Sequence, residues 1–528
     1  MKWIGNCMMS IAILACLTGC KDEDNTPVIP EPDPDPVVEP VKTAEELLQD
    51  IPGVTIIQTT KDADDEDITT FYYEQPIDHT DASAGTFLQY CVLHYKGPEH
   101  VTVLHTQGYS TDDPDSFEKE HLATNLDANY IEVEHRYYQH SLINFEAEKT
   151  DCSGDYWKYN TAAQSTADLH AIVTALKATD GFRGKWVSTG VSKNGILTAL
   201  YAYFYPNEID VYVPFCAPFC AGAETSGIGN WLSHHSGLDN GKDTELRKDV
   251  WAALQRIAND ADLQNEIVGL YNLDHNKNYN HQAVVRHILY CFMSGMFYKF
   301  CYRPTSEWDG VIPRVGHSGE IYYRFAMLGR DDYAKKLKQL REAVGLEDEA
   351  IDSIDDDSEY LIEDEEDIDM DPVTRRAEQY QYMKLDDFLE TIYFVHAAKE
   401  LGYFLYDWSV LPENHLLTDE SLAWFTSHQT IKRYNNWYGV EYDGGKLMNA
   451  FLDFVKNNRY KDKCKMLFIY GGNDPWTGAA IPDPDADDPC VKKHIVPNGV
   501  HSGWLNFPST YPVAEKDWIM NAVKEMLQ

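Results

Sequence analysis

Lys185-Trp186-Val187-Ser188-Thr189-Gly190-Val191-Ser192-Lys193-Asn194-Gly195 runs from a strand-like segment directly into residues 196–205, an apolar helical stretch that Pro206 stops. A serine placed between strand and helix sits on a sharp, strained turn with its hydroxyl exposed. Strand and helix can approach there only if the residues two positions away are small. Gly190 meets that demand before the serine. Asn194 stands where a second glycine is usual, and asparagine is among the residues most tolerant of left-handed backbone; Gly195, one further on, supplies the room. The turn also puts Ser192 at a helix N-terminus, where the dipole and unpaired N–H groups favour a developing oxyanion. Taken alone, the same residues read equally as a plain glycine-serine turn.

Working outward, strands and helices alternate. Residues 70–74 and 86–95 are β-rich runs separated by turn residues and predict an antiparallel pair. Short apolar runs at 101–104, 129–134, 185–188 and 211–215 predict buried strands. Between them, residues 162–176 carry Leu169, Ile172, Val173 and Leu176 at helical spacing. This rhythm implies right-handed crossovers and a parallel sheet. It returns only near the C-terminus, with strands at 465–470 and 494–496. A helix follows over 512–527, where Trp518, Ile519, Ala522, Val523 and Met526 share a face. The expected fold is α/β, a mainly parallel sheet forming an α/β-hydrolase core at residues 43–216 and 451–528. Residues 217–450 are helical and aromatic in pattern, and read as a large inserted cap domain.

Two further segments give Ser192 its partners. Leu467-Phe468-Ile469-Tyr470-Gly471-Gly472-Asn473-Asp474 is a strand that ends in a loop at an aspartate. Val496-Pro497-Asn498-Gly499-Val500-His501 follows the next strand and presents a histidine. Singly, Asp474 reads as a helix cap and His501 as a loop histidine. Together they give the chain order Ser, Asp, His of the α/β-hydrolases, each residue just beyond the C-terminal end of its strand. Ser192 is then the nucleophile, His501 its base, and Asp474 the group that fixes the imidazole tautomer. The main-chain N–H groups of Lys193 and of Tyr109, after Gln107-Gly108, are the expected oxyanion hole.

Gly190-x-Ser192-Lys193-x-Gly195 resembles the Gly-x-Ser-Lys-Gly-Gly elbow of the streptomycete secreted tripeptidyl aminopeptidases, a family of serine peptidases. Gly472-x-Asp474-Pro475-Trp476 and the loop around His501 fit it too. Glu134-His135-Arg136-Tyr137-Tyr138 and residues 159–176 are similar to segments of the related prolyl carboxypeptidase and dipeptidyl peptidase group. The resemblance covers most of residues 60–220 and 450–528 and fades across the cap. It implies a peptidase that removes short peptides, often tripeptides, from free N-termini, commonly after proline. An esterase or lipase working through the same triad, or a non-catalytic peptide-binding lipoprotein, are the alternatives. Glu134 is a candidate for the substrate's ammonium group, or else part of a structural salt bridge.

At the other end of the chain, Lys2 precedes an apolar stretch of about ten residues, half of what a membrane-spanning helix needs. Residues 1–19 thus read as a signal peptide, and Leu17-Thr18-Gly19-Cys20 resembles a bacterial lipobox that acylates Cys20. Behind it, residues 21–40 hold six prolines and seven acids, the composition of an extended spacer. The expected location is the outer membrane, reached through the lipid anchor at Cys20, with peptides as the other partner. A net charge of −42 argues against nucleic acid. Eight cysteines lie beyond Cys20, an even count that permits up to four disulfides in an oxidising compartment. No CxxC or HExxH pattern marks a zinc site, so no metal or cofactor is expected. Residues 347–371 hold fifteen acids and read as a solvated loop of the cap.

Overall fold

Central strands of an α/β sheet are recognisable by burial along their whole length, because helices cover both faces. In the computed structural model of the chain, β4 (Thr102–Thr106), β5 (Asn129–Val133), β7 (Val211–Phe215) and β8 (Met466–Gly471) are buried at every position. The structure describes residues 42–61, 66–111, 119–145, 154–223 and 439–528, parts of 254–289 and 392–418, and Cys152, Ile228 and Cys301. Outside the described residues lie the signal segment, Cys20 and the acidic spacer, the acidic run 347–371 and Cys291. No described helix is long and apolar enough to cross a membrane.

The remaining strands are β1 (Val54–Lys61), β2 (Asp67–Pro76), β3 (Thr86–His94), β6 (Trp186–Val191) and β9 (Val491–Val496). All nine form one sheet in the order β1-β2-β3-β5-β4-β6-β7-β8-β9. Pairing is antiparallel from β1 to β5 across β2 and β3, and parallel from there to β9. Set β1 aside and the other eight have the strand order and directions of an α/β-hydrolase. The expected fold class is therefore the observed one.

Helices cover the two faces. On one face α1 (Ala44–Gln49), α3 (Ala162–Lys177) and α4 (Lys193–Phe204) join the core around Leu104, Ile131, Tyr212 and Phe468. The other face carries α2 (His121–Leu126) and α7 (Val513–Leu527), packed on Val103, Val187, Val213 and Ile469. Among the described residues of 217–450, α5 (Ala261–Asp274) and the π-helical turn Ala397–Leu401 are helical, and no strand occurs. The helix α6 (Lys446–Lys456) puts Met448, Phe451, Phe454 and Val455 into the main core, so the core resumes near Gly445, a turn before the expected 451.

The long-range tie on this side of the sheet is ionic. Arg136, just after β5, is fully buried and grips Asp168 of α3 with two bonds, Nε to Oδ2 at 2.8 Å and Nη2 to Oδ1 at 2.7 Å. Its Nη1 donates to the carbonyls of Ile77 (2.9 Å) and Tyr159 (3.2 Å), and His79 Nε2 lies 2.7 Å from Asp168 Oδ1. The pair thereby binds the end of β2, the exit of β5 and the middle of α3 into one unit. Removing the guanidinium would leave a carboxylate buried without its main partner, which costs about 3–5 kcal/mol. Arg136→Met should lower the urea midpoint and the melting temperature by the equivalent of that loss, measured by circular dichroism against the parent chain.

Candidate active site

The strand order reverses at β4. From it the chain moves to β5 on one side, then returns across it to β6 on the other, and ligands bind at such switch points beyond the C-terminal strand ends. Ser192 lies one residue past β6, Asp474 three past β8, and His501 five past β9. All three expected residues therefore stand at the same edge of the sheet.

Ser192 has φ +61° and ψ −123°, a backbone conformation that ordinary residues avoid. Its N–H donates to the Phe215 carbonyl at 3.0 Å, and its own carbonyl accepts the N–H of Ile196 at 2.9 Å. Strand and helix are close enough that a Cβ on Gly190 would lie 2.7 Å from the Asn194 carbonyl carbon. One on Gly195 would lie 2.6 Å from the Phe215 oxygen. Gly195 does supply the expected room. Asn194, in contrast, needs no left-handed tolerance: the positive φ belongs to Ser192, and Asn194 lies within α4.

Asn194 acts through its side chain instead. Its Oδ1 accepts the Gly108 N–H at 2.7 Å, and its Nδ2 donates to Gln107 Oε1 at 2.7 Å. The Gly108 N–H is thus engaged, and the next amide along the loop is that of Tyr109. The Lys193 side chain completes the clamp, with Nζ donating to the Gly108 carbonyl at 2.5 Å and lying over the rings of Tyr109 and Tyr138. Gly108 C=O and Tyr109 N–H belong to one trans peptide and point in opposite directions. Holding the carbonyl therefore aims the amide. Burial drives the Lys193 amine well below the usual lysine range, with Glu400 opposing. Glu400 is itself pushed up to about 7 by burial, and its carboxylate meets the Ala162 N–H and His396 Nε2. Sequence reasoning used only the main chain of Lys193; the cue to its side chain was the neighbouring Tyr109 and Tyr138, which nothing in the linear pattern brings together.

His501 and Asp474 are joined. His501 Nδ1 lies 2.6 Å from Asp474 Oδ2, and both residues are buried. Asp474 Oδ1 accepts the Trp476 N–H at 3.0 Å, so the cap reading is also correct: one oxygen caps the turn Pro475–Ala479 while the other meets the histidine. The His501 N–H donates to the Cys301 carbonyl at 2.6 Å, and Cys301 Sγ lies 3.7 Å from Asp474 Oδ1. Next to Phe215, the acceptor of the Ser192 amide, Cys216 has its Sγ against the carbonyls of Val500 and Ser502. The histidine loop and the serine turn thus meet around Phe215 and Cys216.

Glu134 is placed differently from the substrate-facing candidate. It is fully buried, and its carboxylate accepts from Thr111 N (3.1 Å), His140 N (2.8 Å) and Ser141 Oγ (2.7 Å), with His140 Nδ1 at 3.2 Å. With its acceptor positions filled from within the fold, it holds the loops after β4 and β5 together. The described cysteines 91, 216, 301, 464 and 490 are free thiols, so none of the disulfides that the count permits forms among these five.

The clamp on the Gly108–Tyr109 peptide carries a prediction. Lys193→Met keeps the main-chain N–H and the apolar stem but drops the bond to Gly108, and Asn194→Ala drops the other. An oxyanion-hole donor is worth about 10²–10³ in kcat, so a misaimed one should lower kcat by roughly ten- to a hundredfold with KM little changed. Steady-state kinetics of both variants, set against their unfolding midpoints, decide this.

The sequence profile of the PS-10 peptidase S37 family matches residues 38–259. A prolyl tri/tetrapeptidyl aminopeptidase of Streptomyces mobaraensis is 32% identical over 148 residues, which are 28% of each chain. The chain thus spans little more than a quarter of that relative's length. Among solved structures, a proline iminopeptidase from Mycobacterium smegmatis is 13% identical with a TM-score of 0.35, over 86% of this chain and 99% of that one. An α/β-fold hydrolase from Bacillus anthracis is 10% identical with a TM-score of 0.27, over 89% and 100%. The likeness to the S37 peptidase family thus lies in residues 38–259, the part of the chain that contains Ser192.

Proposed function

We propose that this chain is a serine exopeptidase that releases short N-terminal peptides, tripeptides foremost, from unstructured substrates through an acyl-enzyme. The observation that carries the catalytic part is the buried 2.6 Å contact of His501 with Asp474, on the sheet edge where Ser192 occupies its strained turn. Asp474 holds the proton of the imidazole on Nδ1, which leaves Nε2 to accept the proton of the Ser192 hydroxyl. The hydroxyl oxygen attacks the scissile carbonyl, and the amides of Lys193 and Tyr109 receive the oxyanion. His501 then returns the proton to the leaving amine, and water repeats the sequence on the ester.

The exopeptidase part draws on three supports. The elbow and the Asp474 loop resemble the tripeptidyl aminopeptidases, and the S. mobaraensis relative is named for releasing tri- and tetrapeptides. A substrate of this class carries an N-terminal ammonium, and a net charge of −42 favours its approach. Glu134 is engaged elsewhere, so another acid must receive that ammonium.

Two measurements test the two parts separately. A fluorophosphonate probe should label Ser192 in the folded chain and fail to label Ser192→Ala; labelling at a different serine overturns the triad. In a digest followed by mass spectrometry, acetylating the substrate's N-terminus should remove a charge-assisted contact worth about 1.5–3 kcal/mol. The expected loss in kcat/KM is roughly ten- to a hundredfold or more. Equal cleavage of both forms, or cuts within chain interiors, overturns the aminopeptidase reading and leaves the serine-hydrolase reading standing.

A further inference from the structure

Among the described residues, one group of side chains has its ligand atoms gathered closely enough to hold a metal ion. Cys216 Sγ, an oxygen of Asp474 and a ring nitrogen of His501 all lie within 4.8 Å of one another, and all three residues are buried. They follow β7, β8 and β9 respectively, each from a different strand, which is why no closely spaced motif reveals them in the sequence. Cys301 brings a second sulfur to the same carboxylate, 3.7 Å from Asp474 Oδ1.

The donor set is selective. Sulfur and imidazole nitrogen suit Zn2+ and heavier thiophilic ions, whereas Mg2+ and Ca2+ want oxygen ligands. Zinc binds sulfur at about 2.3 Å and nitrogen or oxygen at about 2.0–2.2 Å. The ligand atoms of a tetrahedral site therefore stand roughly 3.3–3.8 Å apart. Closing the observed group to those distances takes side-chain shifts of about an ångström, small beside the rotamer freedom of a cysteine.

We propose that Cys216, Asp474 and His501 form an inhibitory site for a thiophilic divalent cation such as Zn2+, which silences the enzyme by capturing the imidazole nitrogen that faces Asp474. The inference rests on the role assigned to His501 under the proposed function. In the active state Nδ1 carries the proton and Nε2 the lone pair. The ion takes the lone pair of Nδ1, so the imidazole, still neutral, must hold its proton on Nε2. That nitrogen can then no longer accept the proton of Ser192. Cys216 gives its thiol proton to solvent and binds as thiolate, and Asp474 exchanges its hydrogen bond for a bond to the metal. One proton leaves per ion bound, and no electron moves. Because the site is buried, the ion enters slowly and inhibition develops with time.

The test uses the full chain, stripped with EDTA, with Cd2+ and Zn2+ as probes and Mg2+ as the control. One Cd2+ per chain should produce the ultraviolet sulfur-to-cadmium charge-transfer absorption in the parent protein, and Cys216→Ser should lose it. In parallel, Zn2+ should block fluorophosphonate labelling of Ser192 progressively and reversibly to EDTA. Cys216→Ser should need at least tenfold more Zn2+ for the same block relative to its own metal-free rate. Cys216 has φ +46°, so Cys216→Ala is run beside it, and both are accepted only with cooperative unfolding near the parent's midpoint. Charge-transfer absorption that survives in both variants, or Zn2+ inhibition equal in parent and variants, overturns the site. If metal-free parent protein is not labelled at all, the hydrolase reading fails, while the cadmium absorption still reports on the ligands independently.

Discussion

The distance between β6 and α4 is the constraint on which the rest of the site depends. Hydrogen stands in place of a side chain at Gly190 and Gly195, so the helix starts one residue past the serine instead of after a loop. The chain can make that turn only by taking Ser192 to φ +61°, a strained conformation costing on the order of 1–3 kcal/mol that surrounding contacts must over-determine. Those contacts come from three directions: the Phe215 carbonyl on the Ser192 amide, the first helical bond from Ile196, and the clamp of Lys193 and Asn194 on the loop after β4. Ser192, the N-terminus of α4 and the loop after β4 are consequently one mechanical unit, and none can shift without straining the others.

Polar groups inside this unit are numerous and paired. Arg136 with Asp168, Glu134 with Thr111, His140 and Ser141, and Lys193 between two tyrosine rings sit at depths where an unpaired charge would be costly. Each joins segments distant in sequence, and each therefore fixes the relative placement of strand ends instead of adding much net stability. Precision at the sheet edge is what these interactions supply.

Much of this was legible in the sequence for a physical reason. Central parallel strands must be apolar along their length, and a serine turn demands small residues at fixed offsets, so the runs at 101–104, 129–134 and 211–215 and the glycines at 190 and 195 announced themselves. Ser192, Asp474 and His501 stood out as candidates because loop residues at strand ends carry the chemistry of such sheets. β1 was missed because Val54–Lys61 is a half-exposed edge strand, mixed with threonine and glutamine, whose pairing depends on β2 and not on its own pattern. The first residues of α6, Met448 among them, fell inside the expected cap, since an amphipathic helix looks the same whichever core receives it. The tolerance assigned to Asn194 was misplaced for a related reason: a one-dimensional reading sees that a residue is unusual, but not that its amide reaches across to Gly108. Buried thiols and a pairing-competent count of cysteines are likewise indistinguishable in one dimension.

The insertion between the two parts of the core leaves and returns through a narrow neck. Gly445 lies so close to the Ala221 carbonyl that a Cβ could not be accommodated, Gly402 packs in the same way on Cys220, and Asn449 Nδ2 reaches Ala221 as well. The more than two hundred intervening residues thus depart and rejoin at almost one point on the sheet edge. Closing a loop of any length across so small a gap costs entropy that grows only logarithmically with residue number. Length can therefore change within such an insertion at little entropic cost to the body that bears it, as long as the residues that pack on that body are kept. The insertion also reaches back to the body through Cys301, whose carbonyl accepts the His501 N–H, and through Glu400 on the Ala162 amide, so exchanging it would exchange part of the surroundings of His501 as well.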